Sequence, residues 1–348
     1  MLKRRIKFMR NNFITDIVKI LMLPVLFCFI LSSCRTSSDI VSEESSADTT
    51  ADFDVSESVV LYPYTFEDSS GNSVTLREKP KRPAVLFSSF ADVWRLSGGE
   101  CYITVGESEE RGYAEENTLF VDSGAGKTID NELLISYEPD FVIVSADIPA
   151  QAETAELLRS YGIPCAEMRV ESFSDYLYML KICTDINEAP EAFTEYGTNL
   201  SYRIDDIFSK LPESNEQKRI LFIRSGSSAS SAKAKTADEH FASCMLEELG
   251  AYNIADNAEI LLDGLSIEEI LNEDPDMIFV VTMGDEEAAK AYMDSVFESP
   301  AWQSLSAVKN QKYYYLPKDL FQYKPNAKWY DAYLYLAELL YPDVYKSY

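Results

Sequence analysis

The chain has 348 residues, with 31 basic against 58 acidic side chains, a formal net charge of −27 and one histidine. A surface this acidic is repelled by nucleic acid and anionic lipid, and one imidazole cannot build the multi-histidine sites that hold bare zinc or manganese. At 46% apolar composition, the chain is long enough for two cores of ordinary domain size.

At the N-terminus, Lys3, Arg4, Arg5, Lys7 and Arg10 precede an uncharged apolar run from Ile20 to Leu31, closed by Leu31-Ser32-Ser33-Cys34. This succession predicts a secretory signal over residues 1–33, and its last four residues resemble the lipobox of bacterial lipoproteins. That resemblance implies cleavage before Cys34 and acylation of Cys34. The processed protein would then be held at the outer face of the cytoplasmic membrane by its lipid alone. Residues 1–33 contain six basic residues and one acidic residue, so the processed chain carries 25 against 57, a net −32. Residues 34–58 are rich in Ser, Thr, Asp and Glu without an apolar period, which predicts a disordered polar tether. Cys101, Cys165, Cys183 and Cys244 show no CxxC spacing and sit among apolar neighbours, as buried free thiols do.

Residues 59–187 alternate strand and helix. Segments 84–88, 101–105, 141–144 and 163–168 read as strands; 89–96 reads as a helix ending at Gly98-Gly99, and 150–161 as one closed by Gly162. Within 188–214, Leu200, Ile204, Ile207 and Phe208 recur at helical spacing behind Pro190, which predicts one long helix. Over 215–348 the alternation restarts with a strand at 219–224 and helices at 240–248 and 286–297. A strand at 312–316 and a terminal helix at 326–340 complete it.

Two segments are near copies. Glu132-Leu133-Leu134-Ile135-Ser136-Tyr137-Glu138-Pro139-Asp140 leads into an apolar run, as does Glu268-Glu269-Ile270-Leu271-Asn272-Glu273-Asp274-Pro275-Asp276, 136 residues later. Each predicts a short helix stopped by proline, then a buried parallel strand. Asp130 is placed to cap the first helix; Ser266 and Glu269 read as a capping box for the second, leaving Glu268 free. So long a period indicates two similar lobes rather than a solenoid. The predicted fold class is α/β: two Rossmann-like lobes with mostly parallel sheets, joined by a single long α-helix, with a ligand cleft between them.

Three further stretches stand in a telling order. They are Ser89-Phe90-Ala91-Asp92-Val93-Trp94-Arg95-Leu96-Ser97-Gly98-Gly99, Ser299-Pro300-Ala301-Trp302-Gln303-Ser304-Leu305 and Leu316-Pro317-Lys318-Asp319-Leu320-Phe321. With the lipobox, the repeated Glu-x6-Pro-Asp units and the linking helix, the chain resembles the substrate-binding proteins of ABC importers for iron–siderophore, haem and cobalamin. The resemblance implies that Glu132 and Glu268 project from the two lobes to meet arginines on a permease dimer served by a cytoplasmic ATPase. It also implies a small-molecule metal chelate bound in the cleft. A monomer with no enzymatic activity, no resident cofactor and no protein-held metal is expected, the iron arriving already chelated.

For the ligand, the strand ends offer Ser89, Trp94, Arg111 and Tyr113 from the first lobe, and Arg224 and Tyr323 from the second. Cations are scarce in so acidic a chain, and guanidinium pairs with carboxylate or catecholate oxygens while stacking on rings. An anionic ferric siderophore is the favoured ligand, haem or a corrinoid the alternative, and a surface enzyme acting on such chelates a more distant one. Lys233 and Lys235 are weaker candidates. Gly124-Ala125-Gly126-Lys127-Thr128 imitates a phosphate loop but has Val121 where glycine is needed. Ser230 and Lys233 imitate a nucleophile pair without a partner motif, and His240 is expected at the surface at a helix start.

Overall fold

The structure, a computed structural model, describes residues 61–122, 128–213 and 217–345. The expected signal segment, Cys34, the tether and residues 124–127 of the loop-like motif lie outside the described residues.

An antiparallel hairpin, β1 (Tyr64–Glu67) and β2 (Ser73–Leu76), opens the described chain. Its turn is built on Asp68, whose carboxylate accepts from the backbone of Ser70 and Asn72 and pairs with Arg159 at 3.3 Å. Then comes a five-stranded sheet of β3 (Pro83–Val85), β4 (Ile103–Thr104), β5 (Leu119–Phe120), β6 (Phe141–Ser145) and β7 (Cys165–Met168). Its order is β5-β4-β3-β6-β7, every pair parallel.

A second sheet holds β8 (Arg219–Ser225), β9 (Ala232–Ala234), β10 (Tyr252–Asn253), β11 (Met277–Thr282) and β12 (Tyr313–Tyr315). The order β10-β8-β11-β12 is parallel, and β9 returns antiparallel onto β8. The serine-rich stretch before β9 is therefore the turn of a hairpin. β6 and β11 are buried along their whole length, which is why their sequences are continuous apolar runs.

The two near-copies form the same structure in each half. Their helices are Asn131–Ser136 and Ile267–Glu273. In both, the residue before the proline takes a left-handed backbone, Glu138 at φ 51° and Asp274 at φ 37°. In both, the aspartate after the proline reaches the start of the neighbouring strand. Asp140 accepts from the N–H groups of Lys81 and Arg82 at 2.8 and 2.9 Å, and Asp276 from that of Arg219 at 2.9 Å. The Pro-Asp step thus ends a helix and fastens the next strand to the sheet's first one. Asp130 caps the first helix through Leu133 as expected, whereas Ser266 makes no side-chain cap, so the capping box does not form.

Pro190–Phe193, Thr194–Thr198 and Asn199–Ser209 run as one helix between the sheets, with Pro190 in its first turn. Thr194–Thr198 is a π turn, a widening that leaves the helix continuous. Gly197 sits at that turn, where a Cβ would lie 3.2 Å from Leu177 and 3.4 Å from Leu180 and Phe193. Its lack of a side chain lets the linking helix approach helix Phe173–Asn187. The C-terminal helix Trp329–Leu340 packs Tyr333 edge-on to Phe208 of the linking helix, and its Trp329 touches both Phe173 and Phe241. The four cysteines among the described residues are free; Cys101, Cys165 and Cys183 are buried, and Cys244 is half-buried.

Candidate ligand-binding site

Three chain segments leave the carboxyl ends of parallel strands and converge. β3 leads into helix Ser88–Leu96, β4 into helix Gly106–Glu110 with Arg111 as its C-cap, and β12 into the single turn Lys318–Phe321 followed by Tyr323. Open α/β sheets bind ligands at such ends. Between these segments lies a cavity of about 310 Å³. Asp92, Arg95, Arg111 and Tyr113 line it from the first half of the chain, and Asp319, Tyr323, Lys324 and Lys328 from the second.

Arg111 is the organising group. Its guanidinium lies 4.8 Å from the Tyr113 ring centroid and 3.9 Å from that of Tyr323. Nη1 donates to Ser88 Oγ at 2.9 Å and to Ser89 Oγ at 3.1 Å, and Nη2 to the Tyr113 hydroxyl at 3.4 Å. Ser88 in turn donates to the Glu107 carboxylate. The other cavity cations are matched to carboxylates: Arg95 to Asp92 at 2.9 Å, Lys328 to Asp319 at 3.8 Å, and Lys324 to Glu171. Arg111 forms no ion pair with a carboxylate among the described residues. Burial pushes the Tyr113 phenol up, with Asp92 adding to it and Arg111 opposing, so the hydroxyl stays protonated at neutral pH.

Between the cavity-lining Pro325 and Ala327, buried Asn326 ties the two halves together. Its amide donates to the Ser89 carbonyl at 2.8 Å and to Asp92 Oδ2 at 2.9 Å. Glu171 adds a second tie, accepting from Lys324 and, at 3.0 Å, from the Phe241 backbone.

Of the sequence-predicted residues, Arg111, Tyr113 and Tyr323 line the cavity, and Ser89 stands behind them as a buried acceptor for Arg111. Trp94 does not reach the cavity. It is 1% exposed, packed against Phe141 at 6.1 Å, and its indole N–H donates to the Glu100 carbonyl at 3.1 Å. That corrects its assignment: helix Ser88–Leu96 is buried from Ser88 to Trp94, so the tryptophan faces core, not cleft. Arg224 also lies outside the cavity lining. Its Nε points at the Met283 sulfur and burial lowers its pKa, with Glu171 and Glu239 opposing. Lys235 pairs with Glu239 at 3.0 Å, and Lys233 lies across from Arg224 in the β8–β9 ladder.

His240 is buried, not at the surface, stacked on Phe241 and packed against a tilted Phe222, each at 4.8 Å. Its Nδ1 accepts from the Ala242 N–H at 3.2 Å, capping helix Phe241–Glu248. Glu132 and Glu268 are exposed in the first turns of their helices, and neither has a hydrogen-bond or ion-pair partner among the described residues. Among the described residues no group of three His, Cys, Asp or Glu side chains is placed to hold a metal.

A family model described as periplasmic binding protein matches residues 102–320. The chain belongs to this family. The uncharacterized ABC transporter substrate-binding lipoprotein YvrC of Bacillus subtilis (strain 168) is 24% identical over 291 residues, which span 82% of this chain and 88% of the relative. Among solved structures, Staphylococcus aureus IsdE complexed with heme superposes with a TM-score of 0.62 at 16% identity, covering 75% of this chain and 98% of that one. Staphylococcus aureus SirA complexed with staphyloferrin B gives 0.58 at 19% identity, covering 80% and 97%. Both likenesses establish a shared fold. In this periplasmic binding protein, sequence reasoning missed Arg95, Lys324, Lys328 and Asn326. Arg95 had a local signal in its i,i+3 spacing from Asp92; Lys324 lies in the link after Lys318–Phe321, and Asn326 and Lys328 form the 3-10 turn at the start of the terminal helix read from the sequence, where helical period gives no sign of a site.

Proposed function

We propose that the protein is the extracytoplasmic, lipid-anchored substrate-binding component of an ABC importer, and that it captures an anionic ferric chelate of the siderophore class. One observation carries the ligand assignment. In a chain of net charge −27, the cavity presents an arginine with no ion-paired carboxylate, held between tyrosine rings from both halves. A guanidinium so placed offers N–H donors to carboxylate, hydroxamate or catecholate oxygens, while the rings stack on the chelate. The cavity volume lies at the small end of the range of ligand sites, ~300–1,000 Å³, which favours a compact chelate over a macrocycle. Glu132 and Glu268, exposed and unpartnered at matching positions, are the proposed contacts to the two permease subunits, with ATP hydrolysis on the cytoplasmic side driving uptake.

The test is calorimetric titration of the processed protein with ferric citrate, a ferric hydroxamate, a ferric catecholate, haemin and cyanocobalamin. Tight binding of ferric citrate or the ferric catecholate, the anionic chelates, over the uncharged hydroxamate complex and with none of haemin or cyanocobalamin, is expected. Preference for haemin or cyanocobalamin would replace the siderophore reading.

A further inference from the structure

Glu107 and Arg111 lie four residues apart on one short helix and its cap, the spacing at which glutamate and arginine ordinarily pair directly. Here they do not. The Glu107 carboxylate accepts the Ser88 hydroxyl proton, and the same Ser88 oxygen accepts from Arg111 Nη1 at 2.9 Å. Ser88 is fully buried at the start of its helix, and the neighbouring hydroxyl of Ser89, also buried, takes a second bond from the same nitrogen at 3.1 Å.

We propose that Ser88 is a spacer that keeps Glu107 from neutralising Arg111, and that Glu107 is a positioning residue which fixes the arginine through that hydroxyl. This rests on the reading of Arg111 as the anion-binding group. A carboxylate bonded straight to the guanidinium would occupy its donor fork and cancel the charge the ligand needs. The Ser88 hydroxyl takes one bond from Arg111 and carries no charge. Because its proton is committed to Glu107, its lone pairs are turned toward Arg111. The guanidinium is thereby held through Nη1, with a longer bond from Nη2 to the Tyr113 hydroxyl, lies over the Tyr113 and Tyr323 rings, and keeps further N–H groups for a ligand. Geometry is bought without loss of charge.

The arrangement has a consequence that simple packing roles for these residues lack. Removing the spacer in Ser88→Ala lets Glu107 close directly on Arg111, so affinity for ferric citrate should fall tenfold or more. Glu107→Gln retains an amide oxygen to accept from Ser88 and should bind within about threefold of wild type. The double variant Ser88→Ala/Glu107→Gln has no carboxylate to close on the arginine and should recover most of the loss. If it binds as weakly as Ser88→Ala, or more weakly, the spacer role is wrong.

A ligand-free measurement separates this from failure of the functional reading. Arginine-selective ¹⁵N NMR of the unliganded protein should show slowed exchange and rotation of the Arg111 Nη groups, retained in Glu107→Gln and lost in Glu107→Ala, with circular dichroism confirming that each variant is folded. Unchanged Arg111 signals in Glu107→Ala would overturn the positioning role. Signals that respond as expected in a protein that binds none of the chelates would sink the siderophore proposal and leave the positioning intact.

Discussion

Arg111 and Tyr323 come from opposite halves of the chain, one following β4 and the other β12, and meet at the cavity with the guanidinium 3.9 Å from the ring centroid. The contact sets the cation over the ring and leaves N–H groups of Arg111 for a ligand. It also links the two halves, as the bonds of Asn326 to Ser89 and Asp92 do. A ligand that engages the arginine therefore acts on the join between the lobes.

Arg111→Ala is expected to weaken binding of a ferric chelate by roughly tenfold to a hundredfold, the range for one charged hydrogen-bond partner. Arg111→Lys keeps the charge but loses the planar stack, and should recover only part of the loss. Arg224, outside the cavity lining, should change affinity by less than about threefold when replaced by alanine, well short of one charged hydrogen bond. Calorimetric titration of the three variants checks all of this. Equal losses at Arg111 and Arg224 would mean that the ligand extends toward β8.

Trp94→Ala should act on stability, not on affinity. The side chain is buried, and Gly99 packs so closely that a Cβ there would come within 2.3 Å of its indole nitrogen. Truncating a core tryptophan costs ~3–5 kcal/mol. Urea unfolding should register that loss while the folded fraction binds as wild type does. A stable variant with weakened binding would return Trp94 to the cleft.

Glu132→Ala combined with Glu268→Ala should leave chelate affinity unchanged and abolish iron uptake in cells at normal expression. Both carboxylates are exposed and make no bond within the described residues, so neither fold nor cavity depends on them. Uptake at the wild-type rate would refute their role in docking.

His240 should remain neutral through the range in which histidine ordinarily titrates. Burial lowers its pKa well below 6.5, and Lys324, Arg224 and Lys235 push the same way. The unfolded chain therefore binds a proton near pH 6.5 that the folded chain refuses. The resulting contribution to stability is present above about 6.5 and is progressively lost as pH falls below it. As the chain has one histidine, imidazole NMR reports on this group alone. No titration should appear while the protein stays folded; a midpoint near 6.5 would contradict its burial.

The duplicated units, the alternating strands and the linking helix were legible because each depends on local apolar period or on proline and glycine. Helix Phe173–Asn187 was missed because most of its circumference is buried, at Phe173, Tyr176, Leu177, Met179, Leu180, Ile182 and Cys183, and only a narrow stripe of Ser174, Tyr178, Lys181 and Asp185 is less covered, so its period is faint. Its Ser172/Asp175 capping box was the readable signal. The β1–β2 hairpin escaped because its strands are four residues long and held by the Asp68 turn. At the site, chemistry was legible and orientation was not. Arg111, Tyr113 and Tyr323 could be named from type and place, but the inward turn of Trp94 and the arrival of Lys324 beside Tyr323 depend on tertiary packing.

The most direct test is an iron anomalous difference map from crystals of the processed protein grown with the ferric chelate it binds most tightly. A single iron peak inside the cavity, with chelate oxygens on Arg111 and its rings against Tyr113 or Tyr323, is the expected result. Iron bound elsewhere, or a chelate that leaves Arg111 stacked and untouched, would contradict the assignment of this cavity as the ligand site.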